Sequence, residues 1–114
     1  MATLDEIAVV YKALGDETRL RMINLLSQFG ELCVCDLEGA LEIPQSKTSR
    51  HLRILKQARL VDDRRDGAWV YYYIHNGLNK TDRETLSIVT QALGQIGSGK
   101  RDIARAKRIR RKCQ

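Results

Sequence analysis

The chain has 114 residues, 43% of them hydrophobic, with one Phe, one Trp, four Tyr, three Cys and a net charge of +6. That length holds one domain with a packed core, and no apolar run reaches the roughly 20 residues of a membrane span. Acids in the opening MATLDEIAVVYKALGDE stand where a signal peptide carries bases, so the expectation is a soluble, cytoplasmic protein without a membrane partner.

In chain order, residues 4–14 (LDEIAVVYKAL) read as a helix that is apolar on most sides and therefore needs covering, by the core or by a second subunit. Gly15 ends it and Asp16 can cap the next helix, residues 17–29, in which Leu20, Met22, Ile23, Leu25, Leu26 and Phe29 mark a central core element closed by Gly30. A short third helix is expected over about residues 34–41. After a tight turn at Glu42-Ile43-Pro44, a fourth runs from about Pro44 to Ala58. Residues 61–74 change to a strand pattern around Asp66-Gly67, a hairpin signal because both turn positions favour positive φ. A long helix returns from about Leu78 to Ile96, with Leu78, Leu86, Val89, Leu93 and Ile96 on one stripe widened by Ile88 and Ala92. So broad a stripe in so small a chain predicts a homodimer, the alternative being a helix that simply roofs the monomer core. Ile7, Val10 and Leu14 of the first helix would meet Leu86, Val89, Leu93 and Ile96 of the last. Gly97-Ser98-Gly99 reads as a hinge, which divides the chain into a domain over residues 1–97 and a basic tail over residues 98–114, helical or disordered.

Charge is segregated along the chain. Residues 98–114 carry eight Lys/Arg against Asp102 alone, so residues 1–97 are close to neutral. Within them, no acid occurs between residues 43 and 61, whereas Glu31, Asp36, Glu38 and Glu42 precede that stretch. Helix, tight turn, helix and hairpin in that order predict a mainly α fold with one β-hairpin, a winged helix-turn-helix. At 100° per residue, Thr48, Leu52 and Leu55 of the fourth helix face inward. Ser46, Arg50, Arg53 and Gln57 lie opposite, flanked by Lys47 and Ser49. Hydroxyl, amide and guanidinium groups suit base edges and phosphates of a major groove. Arg64 and Arg65 near the hairpin tip are placed for phosphates or a minor groove. His51 is expected to be structural or to touch a phosphate, and Trp69 with Tyr71–Tyr73 to pack the wing on the core. A winged helix that binds a protein or RNA is the alternative for such a surface. An enzyme is not expected, because no carboxylate pair, nucleophile–base arrangement or phosphate-cradling glycine loop is present.

Three cysteines, two of them one residue apart, do not make a disulfide framework. Cys33 and Cys35 fall where the third helix begins, a place that lowers a thiol pKa. Their spacing is wrong for a redox pair on a helix and strains a direct disulfide. From spacing alone, soft-ion ligands and small buried hydrophobes are equally good readings.

The run Leu-Gly-Asp-Glu-Thr-Arg-Leu, then Glu-Leu-Cys-Val-Cys-Asp-Leu, Gln-Ser-Lys-Thr-Ser-Arg-His-Leu and Arg-Arg-Asp-Gly resembles the ArsR/SmtB family of metal-sensing repressors over residues 4 to about 96. The cysteine motif is similar to that of its arsenite-responsive members. The resemblance implies an apo dimer that binds operator DNA through residues 45–53, Gln45 included, and through the wing. It implies release when As(III), Sb(III) or a trivalent organoarsenical binds Cys33 and Cys35, with no cofactor required. Where those members carry a third cysteine this chain has Glu38. Cys113 is the candidate third sulfur; two thiolates with a water or methyl group are the other possibility, and the latter would favour a methylated arsenical. The last long helix lacks the histidines of the family's zinc sensors, and residues 1–32 lack the cysteines of its cadmium sensors. A thiol-oxidation repressor of the same fold is the rival expectation.

Overall fold

Thr3 and Asp16 accept hydrogen bonds from the first-turn amides of Glu6 and Thr18, and so start the two N-terminal helices, α1 (Leu4–Leu14) and α2 (Glu17–Phe29). Gly30, at φ 80°, ends α2 and turns the chain into a three-residue strand, β1 (Glu31–Cys33). The computed structural model describes residues 3–113, and side chains as far as residue 110. The helices α3 (Val34–Leu41) and α4 (Gln45–Gln57) follow, then strands β2 (Val61–Asp66) and β3 (Trp69–Ile74), then α5 (Lys80–Leu93) and α6 (Gly97–Cys113). The strand order is β1-β3-β2, antiparallel throughout, with Cys33 opposite Tyr71 and Asp66 opposite Trp69.

The core is built around α2, whose Met22, Ile23, Leu25 and Leu26 have no exposed surface. Leu37 of α3, Leu52 and Leu55 of α4 and Leu60 and Val61 beyond it close on that helix. The inward face expected for α4 is observed: Thr48, Leu52 and Leu55 are all fully buried. Its amphipathicity therefore fixes which residues face away from the protein, and these are polar or cationic with no acid among them.

Several expectations are corrected. β1 was not foreseen, since three residues carry too little alternation to register as a strand. The hairpin turn falls one residue later than expected, with Gly67 and Ala68 as its two loop residues and only Gly67 at positive φ. The long helix is shorter than Leu78–Ile96, because Asn79 caps it through Asp82 and it ends at Leu93. Trp69 does not pack on the core: it is 56% exposed, being placed at the hairpin tip beyond the reach of α2. Tyr72 does pack there. Val10, Leu14 and Leu86 are buried in the core of the single chain and leave little surface for a partner. Ile7 and Ile96 remain exposed, beside Leu4, Val9, Tyr11 and Ile88. Val89 and Leu93 are half-buried.

Gly97–Gly99 is not a hinge but the first turn of α6, which packs on α2, α3 and α5. Gly99 is buried so close to the end of α5 that a β-carbon there would run into the Leu93 carbonyl oxygen. Ala106 is fully buried, and Ile109 lies against Gly39 of α3. Asp102, 1% exposed, accepts a bidentate pair from Arg21 at 2.8 and 2.9 Å and a third bond from Arg105 at 2.8 Å. The same two guanidiniums donate to the Leu41 and Ala40 carbonyls, so they also satisfy the open end of α3. This hydrogen-bonded pairing raises the Arg21 pKa above its ordinary value.

Candidate functional site

Cys33 stands at the N-cap of α3. Its extended backbone (φ −74°, ψ 161°) meets the first helical turn there and bends the chain. Its Sγ accepts the Asp36 amide at 3.3 Å and its own amide donates to the Asp36 carboxylate at 3.4 Å, a capping box with sulfur in place of a hydroxyl. The bend carries the Cys35 sulfur back toward the Cys33 sulfur, and the structure joins them as a disulfide with Cα atoms 5.4 Å apart. The two sulfurs can approach despite the one-residue spacing because the cysteines sit on either side of a helix start. Cys33 is buried and Cys35 exposed.

Both sulfurs and an Asp36 carboxylate oxygen lie within 4.8 Å of one another. Two soft donors and one hard one, partly open to solvent, fit a thiophilic ion that tolerates mixed coordination. Asp36 is the residue beside the sulfurs that sequence reasoning missed. The capping-box spacing from Cys33 to Asp36 was its signal. Cys113 ends α6, but its thiol lies outside the described residues.

A cleft of about 320 Å³ adjoins the pair. Cys33, Cys35 and Glu38 form one wall, Gln45 and Ser49 of α4 another, and Arg65, Trp69 and Tyr72 of the hairpin a third. The cysteines thus border both elements expected to read DNA. On α4, Gln45, Ser46, Lys47, Arg50, Arg53 and Gln57 are exposed and Ser49 is half-buried. Arg65 is exposed, as is Arg64. Arg64 is also engaged: it donates to both Glu31 carboxylate oxygens at 2.6 and 2.7 Å and lies 4.5 Å over the Tyr71 ring. This pairing lowers the Glu31 pKa.

His51 is buried on the inner flank of α4, with Nδ1 2.9 Å from the Arg19 guanidinium, which also donates to Ala13 and Lys12 carbonyls at the end of α1. Burial depresses the His51 pKa, Asp16 opposes that, and Arg19, Arg50 and Lys47 reinforce it. The folded imidazole thus binds its proton more weakly than the unfolded chain does, whose value is about 6.5. Stability contributed by the neutral form is then present above that value. It falls as pH drops below it and levels off once the folded imidazole also protonates. Thermal unfolding followed from about pH 5 to 7 should be flatter for His51→Gln than for wild type; parallel curves would refute this role.

Helix, turn, helix and hairpin in this arrangement, with the outward face of the second helix cationic, define a winged helix-turn-helix regulator of DNA rather than an enzyme. Residues 16–63 match the description "Bacterial regulatory protein, arsR family". The chain is 45% identical over 86 residues to Arsenic resistance transcriptional regulator ArsR2 of Pseudomonas putida, covering 75% of each protein. It is 54% identical over 67 residues to ArsR1 of the same organism, covering 59% of this chain and 52% of that one. It therefore spans about half the length of ArsR1. Among solved structures, the homodimeric winged helix-turn-helix domain Mb0332 of Mycobacterium bovis, a possible ArsR-family regulator, superposes with a TM-score of 0.68 at 32% identity over 81% of this chain and 82% of its own. The chain belongs to the arsR family of bacterial regulatory proteins.

Proposed function

We propose that this chain is a cytoplasmic, metalloid-responsive repressor of arsenical resistance, whose apo homodimer binds operator DNA and leaves it when As(III), Sb(III) or a trivalent organoarsenical binds Cys33 and Cys35. The observation that carries the reading is the shared cleft, in which the cysteine pair, the first turn of α4 and the hairpin face one another. In a reducing cytosol the pair is a dithiol. Each As–S bond formed from arsenous acid releases one water, the thiol proton joining the departing hydroxide. Ligation draws electron density from the Cys33 sulfur that accepts the Asp36 amide, so inducer binding weakens and reorients the cap of α3. Moving the start of α3 against α4 would alter how two recognition helices are spaced in a dimer.

The DNA contacts in this reading are Gln45, Ser46, Lys47, Ser49, Arg50, Arg53, Gln57 and Arg65, with Arg64 joining them on release from Glu31. The dimer face is the exposed apolar surface of α1, of α5 and of the link after it, around Ile7, Ile88 and Ile96. Cys113 is the third thiolate. Its support is the course of α6, which runs back along α3 from Asp102 near Leu41 to Ile109 at Gly39, one turn before Cys113 and one turn after Cys35. The redox alternative draws on the Cys33–Cys35 disulfide itself.

Fluorescence anisotropy on an operator duplex separates these readings. Arsenite is expected to release wild type and to leave Cys33→Ser/Cys35→Ser bound, with Cys113→Ser weakening the response. Release by peroxide alone would replace the metalloid reading with the redox one.

A further inference from the structure

The last helix has a second face that neither the sensor nor the recognition helix accounts for. Its apolar side, Ile103, Ala106 and Ile109, is packed against the core. The one acid of the helix, Asp102, is turned inward and neutralised by Arg21 and Arg105. What remains outside is a single-sign surface: Lys100, Arg101, Lys107 and Arg108 are all exposed, and none of them is ion-paired among the described residues. At 100° per residue these four fall within about one third of the helix circumference. An ordinary solvated face intersperses both signs; this one does not.

We propose that the outer face of α6 is a second DNA-binding surface, which holds the phosphate backbone beside the duplex seated on α4. Two features select this partner. The helix that carries the face borders the reading site through α3: Ile109 on its inner side rests on Gly39, and the adjoining Glu38 lines the cleft shared with Gln45, Ser49 and Arg65. A bilayer is a poor partner, because an interfacial helix must insert an apolar face, and here that face is already covered by α2 and α3. Regularly spaced phosphates need only exposed cations. The inference rests on the operator-binding part of the function proposed above and is independent of its metalloid part.

The test is Lys100→Gln/Arg101→Gln/Lys107→Gln/Arg108→Gln, four exposed positions that leave Asp102 and Ile109 in place, with circular dichroism as the check on folding. Affinity for a duplex selected by the protein from a random pool is measured against salt, once on the minimal site and once with each flank extended by about one helical turn, roughly 10 base pairs. On the extended duplex, the variant's plot of log affinity against log salt should be shallower than wild type by at least about 1, the loss of one phosphate contact. The difference should shrink on the minimal site, and the charge-retaining Lys100→Arg/Lys107→Arg should keep the wild-type slope. Equal slopes for wild type and the quadruple variant on both duplexes would overturn the proposal. So would a variant that loses only binding to anionic phosphatidylserine vesicles. Arsenite is left out of these titrations, so a failed metalloid response leaves the comparison readable.

Discussion

Alanine at both Arg50 and Arg53 should abolish sequence-selective DNA binding while leaving the fold intact. Both side chains are exposed on α4, opposite the fully buried Thr48, Leu52 and Leu55. The substitution therefore removes no core contact, and the melting temperature should move by no more than a few degrees, as is usual for surface changes of about 0.5 kcal/mol. A guanidinium that pairs with a guanine edge contributes about 1–3 kcal/mol of discrimination. Losing two should lower affinity for the preferred duplex by roughly 30-fold to 10⁴-fold, with a smaller loss on mixed-sequence DNA. Anisotropy with a preferred and a scrambled duplex reads both quantities. If the preference survives the double substitution, base reading lies elsewhere, and the cleft-side residues Gln45, Ser49 and Arg65 become the next to test.

The second large effect is on stability. Asp102→Ala should destabilise the chain by about 2–3 kcal/mol, below the 3–5 kcal/mol typical of removing one partner of a fully buried pair. The discount reflects the arginines, whose side chains are 27% exposed at Arg21 and 22% at Arg105 and so keep some water when the carboxylate is lost. The melting temperature should fall on the order of 10–20 °C. Protease cleavage between α5 and α6 should become faster as the helix loses its anchor. A drop of less than about 3 °C would mean that Ala106 and Ile109 hold α6 without the ion cluster.

That cluster is also where sequence reasoning reached its limit. The helix-turn-helix was legible because α4 is amphipathic over thirteen residues, and its buried and exposed sides follow from periodicity alone. The hairpin was legible from Asp66-Gly67, although the loop sits one residue later. A helix over the tail was one of the two expected states, but its packing on the core was not legible, for two reasons. Gly97 and Gly99 read locally as flexibility, whereas Gly99 is required by the close approach of two helices. The acid that anchors the helix, Asp102, finds Arg21 from 81 residues away, and no local pattern reports such a pairing. The cysteine motif gave the two sulfurs and the start of α3, but not the carboxylate beside them. Asp36 approaches the sulfurs only because it closes the cap, a contact that exists once the helix has formed. Arg64 shows the same limit: its partner Glu31 is brought in by β1, which the sequence does not announce.

The order β1-β3-β2 has one more consequence. The outer strands are β1, three residues long, and β2, whose sequence is Val-Asp-Asp-Arg-Arg-Asp. A short strand and a charged one are the two kinds of edge that resist adding a foreign strand. Both borders are therefore poor templates for edge-to-edge growth, even though the strand between them is the continuous Trp-Val-Tyr-Tyr-Tyr-Ile, covered on the β1 side at Tyr71–Tyr73. Self-association is thereby steered away from strand exchange and onto the helices, where a closed pair can form without seeding a fibre.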